Sequence, residues 1–261
     1  MKMLNLIRGY WGKSSKVGSE EIPAIRSDFH RLLDEAKRQV SEVGFYPYGT
    51  WGNLFLIDKL LADGDYDIES LLSVGNINDV GGGDGDLAFY CKALGADRVS
   101  LIDFSHTNFN RLGGAQVLKK RLNLDVNIID VNLEFGNSWD IVPFADLTLF
   151  LGLMYHLENP ERALVQLAQK TKYMFLSTKI FDLVSSLDIR SYPVAYFYSP
   201  GECNSDATNW WCFTETCLKK MFERTGWEVL SYKRFGDKNS DPIDMSKDGR
   251  AFAFLKSRKF N

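Results

Sequence analysis

Between Ile77 and Leu87 the chain reads Ile-Asn-Asp-Val-Gly-Gly-Gly-Asp-Gly-Asp-Leu, a strand that stops in a glycine-packed turn and opens into a helix. Gly81, Gly83 and Gly85 let the backbone take positive φ and lie against a ligand, as nucleotide-binding turns require. A dinucleotide site needs Gly-x-Gly-x-x-Gly, the last glycine packing helix on strand. That position, residue 86, is aspartate. Asp84 and Asp86 beside the turn would repel a diphosphate, because unit charges about 4 Å apart near a surface interact by roughly 4 kcal/mol. They suit a ligand whose reactive end is cationic. A Walker phosphate loop is excluded, since no Gly-Lys-Ser/Thr follows.

Three further positions could do chemistry. Asp103 ends the run Arg98–Asp103, 22 residues after Gly81. In a doubly wound sheet, an acidic side chain there accepts hydrogen bonds from ribose hydroxyls; its other use is to cap the next helix. Asp130 ends the run Asp125–Asp130 in the same way and could take an adenine amino group, with Val131 against the ring, or serve a plain turn. Phe104 and Leu151, beside such strand ends, complete the candidate cofactor contacts with Asp79 and the three glycines. The apolar run Ala145–Gly152 leads into Leu-Gly-Leu-Met-Tyr-His-Leu, which leaves Tyr155 and His156 in a loop at a strand's carboxyl end. His156 there is either a general base, a substrate-orienting group, or an imidazole packed beside the ligand.

The elements that must position these groups alternate strand and helix, the pattern of an α/β doubly wound sheet. Ahead of them, apolar residues at helical spacing from Ile25 to Val43 predict a helix over 24–43. Leu54, Ile57, Leu60 and Leu61 predict another, ending near Gly64. The aromatic segment between them either clasps the two helices or closes Tyr48 and Trp51 over a ligand. The helix after Ser105 is expected to run to Arg121, with Gly113-Gly114 as a soft point near its middle. Tyr173–Ile180 is a fifth strand, and residues 227–233 and 250–256 form an edge hairpin around a polar loop, 236–249. Residues 182–213 break the pattern with many aromatics and a polar cluster. Long connections of this kind carry function. Tyr155 with Glu202, Asn204, Asn209 and Trp210 would bind substrate; the segment's other use is an oligomer contact, such as a homodimer's. The organisation expected is an N-terminal arm and helical lid over 1–70, the arm anchored by Tyr10 and Trp11, and a ligand-binding domain over 71–261.

Composition narrows the classes. The 261 residues carry a net charge of −3, with no overall basic footprint for nucleic acid. Cys91, Cys203, Cys212 and Cys217 form no Cys-x-x-Cys pair and no metal spacing with the three histidines. A reduced, cytoplasmic chain without a metal is the simplest expectation. The longest apolar run is too short for a bilayer, which needs about 20 residues.

Asp79-x-Gly-x-Gly-x-Gly85 is the pattern of S-adenosylmethionine (SAM)-dependent methyltransferases. From about Tyr46 to Lys256 the chain resembles their class I, and within it the tRNA wobble-uridine 5-oxyacetic acid enzymes. The likeness rests on that loop, on Tyr46-Pro-Tyr-Gly-Thr-Trp-Gly-Asn-Leu-Phe-Leu-Ile-Asp58 and on Leu151-Gly-Leu-Met-Tyr-His-Leu-Glu-Asn-Pro160. It implies a Rossmann-like, seven-stranded, mostly parallel sheet with an antiparallel last strand. It also implies SAM with ribose on Asp103, adenine on Asp130 and the methionine end on the glycine loop. Wobble-uridine members use a carboxylated SAM held by basic residues ahead of the core, whereas residues 46–53 contain no Lys or Arg. Plain methyl transfer to an oxygen or nitrogen of a small molecule, a saccharide or other metabolite, is therefore the reading favoured. The alternatives are an RNA methyltransferase of the wobble-uridine type and a SAM-binding protein without catalysis.

Overall fold

The computed structural model describes residues 22–260 except 41, 65 and 245, so the arm expected over 1–20 and its anchors lie outside the described residues. Helices α1 (Ile22–Arg38), α2 (Asn53–Leu61) and α3 (Ile68–Leu72) lead into β1 (Asn76–Val80), α4 (Asp86–Leu94) and β2 (Arg98–Asp103). Then come α5 (Gly113–Leu122), β3 (Val126–Asp130), β4 (Ala145–Leu151), α6 (Pro160–Lys170) and β5 (Thr171–Ile180). Four short strands follow: β6 (Leu183–Val184), β7 (Leu187–Asp188), β8 (Ala195–Phe197) and β9 (Trp211–Phe213). The chain closes with α7 (Glu215–Arg224), β10 (Trp227–Gly236) and β11 (Gly249–Ser257).

The main sheet runs β10-β11-β5-β4-β1-β2-β3. Strands β1 to β5 pair in parallel, while β11 is antiparallel to both neighbours. This is the α/β arrangement expected, with the last strand reversed. Strand order turns at β1, which has β2 on one side and β4 on the other. Ligands of open α/β sheets bind at the carboxyl ends of the strands beside such a turn. Register places Asp103 opposite Asp130 and Arg250 opposite Lys179, so both pairs stand on that rim.

Apolar side chains cover the sheet on both faces, which is why β4 reads as a near-continuous apolar run. One core joins Ile25, Phe29 and Leu33 of α1 and Leu54 and Ile57 of α2 to Leu87 and Phe89 of α4 and Leu118 of α5. The other joins Leu164 and Leu167 of α6, Leu218 and Phe222 of α7, and Trp227. Arg26 ties the N-terminal helices together, bonding Asp58 and the buried Glu69 at 2.5 Å each; Glu69 in turn accepts from Tyr90 at 3.1 Å.

Two helices depart from the sequence expectation. α1 stops at Arg38, five residues early, because Arg121 takes both the side chain and the carbonyl of Gln39. α5 begins at Gly113, not after Ser105. The Asn108 side chain accepts from Asn110 and Leu112 backbone N–H groups at 3.2 and 2.9 Å, and Arg111 and Leu112 are left-handed, φ 56° and 66°, which no helix tolerates. Gly113-Gly114 is the helix start, and Gly114 has no room for a Cβ against Asp84 and Asn110. The segment 182–213 is ordered: β8 pairs with β9, β9 extends the rim of β5 through Ile180 and Phe213, and Phe181, Tyr198, Cys203 and Cys212 pack a small core. Among the described residues no helix is long and apolar enough to cross a membrane.

Candidate functional site

The glycine turn takes the conformation its sequence demands, with φ of 74°, 63° and 83° at Gly81, Gly83 and Gly85. Asp79 lies beneath it, 3% exposed, accepting the Ala88 N–H at 3.2 Å and leaving no space for a Cβ on Gly82. Burial pushes the Asp79 carboxyl up to about 7. Asp84 and Asp86 do not face a ligand, and this corrects the charge argument drawn from the sequence. Asp84 is buried, accepting from the Tyr46 N–H and from Asn110 Nδ2 at 2.6 Å each. Asp86 is buried against Lys37 of α1, 2.7 Å away. Asp86 fastens the turn to α1, and Asp84 fastens it to the connector after α1 and to the loop before α5, so their repulsion of a diphosphate does not decide the ligand.

Asp103 is tied to the same turn. Its Oδ2 accepts from the Gly83 N–H at 3.0 Å and from Asn108 Nδ2 at 3.2 Å, and its Oδ1 from the Phe104 N–H at 2.7 Å. A carboxylate has about four acceptor sites, so room for one more donor is left. Burial raises its pKa despite those three bonds. Asp130 is exposed, and the Ser105 N–H, donating at 2.9 Å, holds it below the usual carboxylate range. Phe104 stacks on His106 with centroids 4.8 Å apart. Val131 is half-buried and donates its N–H to the Asp103 carbonyl at 2.9 Å; Leu151 is half-buried at the end of β4. The aromatic segment divides. Trp51 is spent on the clasp, stacked 4.9 Å from His30 and set edge-on to Tyr90 at 5.0 Å. Tyr46 lies over Gly83, and Tyr48, 75% exposed, meets its edge at 5.6 Å.

At the ends of β4 and β5 a second group assembles. Tyr155 and His156 sit in a short helical turn, Met154–His156, their rings 4.2 Å apart. The backbone N–H of Trp210 donates to the Tyr155 carbonyl at 2.9 Å, docking the 182–213 segment on this turn. Thr208 Oγ1 donates to Asp206 Oδ1 at 2.7 Å and, its proton committed, accepts from His156 Nδ1 at 2.9 Å. The Thr208 carbonyl, 3.2 Å from Nδ1, can also only accept. Nδ1 therefore carries the proton and Nε2 the lone pair. Burial lowers the His156 pKa against the pull of Asp206, and Arg250 and Lys179 lower it further. The ring is a neutral imidazole at pH 7 with its basic nitrogen unspent on this relay.

The other residues expected from this segment serve its own architecture. Glu202 accepts from Tyr196 Oη at 2.6 Å and from the Ser199 N–H at 2.7 Å, which keeps its pKa low. Asn204 is an exposed left-handed turn residue, φ 56°, and Asn209 is buried with Nδ2 on the Cys203 carbonyl at 3.0 Å. The Trp210 ring lies 5.8 Å from Phe197. Arg250 and Lys179 were not singled out from sequence. Arg250 starts a strand after a long polar loop and gives no local signal. Lys179 does give one, because a lysine near the end of the strand Tyr173–Ile180 is buried only when paired. Among the described residues no cluster of three or more His, Cys, Asp or Glu could hold a metal.

The residues present fit a nucleoside-type cofactor. Gly83 and Gly152 take positive φ at the ends of β1 and β4, and a Cβ on either would face only a tyrosine, the Tyr46 ring at 3.7 Å and the Tyr155 hydroxyl at 3.9 Å, so no backbone closes the space above them. Carboxylate acceptors at the next two strand ends suit ribose hydroxyls and an amino group. The family model described as a methyltransferase domain matches residues 50–232, and the chain belongs to that family of enzymes. Solved structures agree on the fold. The N-terminal domain of EvdMO1 with SAH bound is 12% identical, TM-score 0.54, over 88% of this chain and 97% of that one. The [4+2]-cyclase SpnF is 13% identical, TM-score 0.56, over 87% and 92%. A Thermoplasma acidophilum protein, 1320, is 13% identical, TM-score 0.51, over 90% and 99%. No curated protein matches the chain.

Proposed function

We propose that this protein is a SAM-dependent methyltransferase acting on an oxygen or nitrogen of a small molecule, with His156 as the proton acceptor. The observation that carries the reading is the His156 relay: a neutral imidazole at the carboxyl end of β4, its Nδ1–H fixed by Thr208 and Asp206 and its Nε2 lone pair left for an acceptor's proton. Asp103 would hold the ribose, Asp130 the adenine and the Gly81–Gly85 turn the methionine end of the cofactor, with Tyr46 covering Gly83. When bound, SAM supplies an electrophilic methyl carbon on a sulfonium. The protein's part is to place a nucleophile against that carbon, to remove its proton and to exclude water. Orientation of this kind lowers a barrier by roughly 7–11 kcal/mol, and a positioned base adds about 10²–10⁴-fold. The segment 182–213 supports a small acceptor, because it packs over the His156 turn through Trp210 and Thr208.

A thermal-shift panel of SAM, S-adenosylhomocysteine and NAD tests the cofactor. Ligand at about 100 times its dissociation constant adds roughly 2.7 kcal/mol of stability. SAM and its product should stabilise the chain; stabilisation by NAD alone overturns the reading.

A further inference from the structure

We infer that Arg250, braced by Asp248 and Lys179, forms a subsite for the carboxylate of an acidic methyl acceptor, next to the base that takes the acceptor's proton. The inference rests on the methyltransferase reading above and narrows the acceptor to a hydroxylated or amino-bearing acid. Arg250 Nη1 donates to Tyr155 Oη at 3.3 Å, and its guanidinium carbon lies 5.3 Å from the centre of the Tyr155 ring. His156 lies against that same ring. One tyrosine thus carries a cation on one flank and the neutral base on another. The Arg250 charge also acts on Tyr46, whose ring lies over Gly83.

Arg250 is held more firmly than it is satisfied. Its Nε donates to Asp248 Oδ2 at 3.2 Å, and the other oxygen of Asp248 takes Lys179 Nζ at 2.8 Å. Two cations therefore share one carboxylate, and the Lys179 side chain is only 4% exposed. Asp206, the other acid of the neighbourhood, spends Oδ1 on the Thr208 N–H and hydroxyl at 2.8 and 2.7 Å, so it serves His156. A guanidinium has five N–H donors; Nε and one on Nη1 have partners among the described residues, which leaves three. The Arg250 side chain is 33% exposed, open on one side. A half-buried guanidinium with open donors is matched by a planar, two-oxygen anion, which its fork binds in pairs. Lys179 reaches that anion only through Asp248, and so acts as a positioning residue.

A carboxylate could also arrive on a carboxylated SAM, so the test separates the two sources. The chain has three histidines, and the His156 ring can be followed by proton NMR with His30 and His106 as internal controls. The full chain, with and without S-adenosylhomocysteine, is titrated with pH in acetate and, at the same ionic strength, in acetamide. Acetate on Arg250 should raise the His156 midpoint by roughly 0.5–1 pH unit, since an anion nearby favours the imidazolium. Acetamide should not move it. Arg250→Gln should abolish the response, and Arg250→Lys, which keeps the charge, should retain part of it. A His156 midpoint indifferent to acetate, or moved equally in Arg250→Gln, overturns the subsite. Calorimetry then compares SAM with its carboxylated form. If the carboxylated donor binds at least 10-fold more tightly and Arg250→Gln removes the difference, the carboxylate belongs to the donor and the acidic-acceptor inference falls. Failure of the methyltransferase reading would register separately, as no binding of either donor or of S-adenosylhomocysteine.

Discussion

At the carboxyl ends of β1, β2 and β3 the bonds that shape the rim span at most 25 residues: Gly83 to Asp103, Asp103 to Phe104, Ser105 to Asp130. At the ends of β4 and β5 they span more, 52 residues from His156 to Thr208 and 95 from Tyr155 to Arg250. The proposed donor end is shaped largely by backbone between Gly81 and Asp130, with Lys37 and Tyr46 fastening its turn; the proposed acceptor end exists only once the sheet, the 182–213 segment and β11 have come together.

The largest expected effect probes the foundation of the donor end. Asp79 takes up its proton at about 7 when folded and near 3.8 when unfolded. Its contribution is fully present below pH 3.8 and is lost as pH rises through 7, up to about 4 kcal/mol. Thermal denaturation from pH 5 to 8 should show the wild type losing stability and Asp79→Asn losing much less. Parallel slopes would mean that the carboxyl is not held protonated. Next, Asp103→Ala strands the Gly83 and Phe104 N–H donors and removes the ribose acceptor. SAM binding by calorimetry should weaken by about 100-fold, roughly 2–3 kcal/mol; unchanged affinity would take ribose away from Asp103. Gly114→Ala drives a methyl into Asp84 and Asn110, and overpacking of this kind costs about 1–3 kcal/mol. Its melting temperature should fall, and an unaltered one would show that Asp84 does not clamp the turn to α5. The smallest effect belongs to the acceptor end. Thr208→Val breaks the relay to Asp206 and should lower kcat about 10-fold with S-adenosylhomocysteine affinity unchanged, while Thr208→Ser restores it. If affinity falls as well, the two ends are not separable.

What the sequence made legible follows the same division. β2 begins and ends where its apolar run does, and β3 and β4 are displaced by a single residue at one end, because buried strands are read from local pattern. Asp103 and Asp130 were recognisable as strand ends, and strand ends are where such a sheet binds ligands. The directions of Asp84 and Asp86 were not recognisable. Their partners, Tyr46, Asn110 and Lys37, lie 26 to 49 residues away on elements whose docking no local pattern specifies. α5 was misplaced for a related reason: the side chain of Asn108 competes with the helix for backbone donors, and helical periodicity does not register that competition. Within 182–213, Glu202 and Asn209 stood out as polar residues in an aromatic loop, yet an ordered loop needs polar groups for its own turns. Asp206 and Thr208, which belong to the same polar cluster, form the relay. Arg250 needed the register of β11 against β5, a pairing that spans the end of the chain.

The central claim is that His156 removes the proton of a methyl acceptor held beside the donor. Incubating wild type and His156→Gln with methyl-labelled SAM and a fractionated extract tests it most directly, with S-adenosylhomocysteine affinity measured on both. The account predicts a labelled product with wild type, a rate about 10²–10⁴-fold lower in the variant, and equal product affinity. Label transferred at the same rate by both proteins would contradict it.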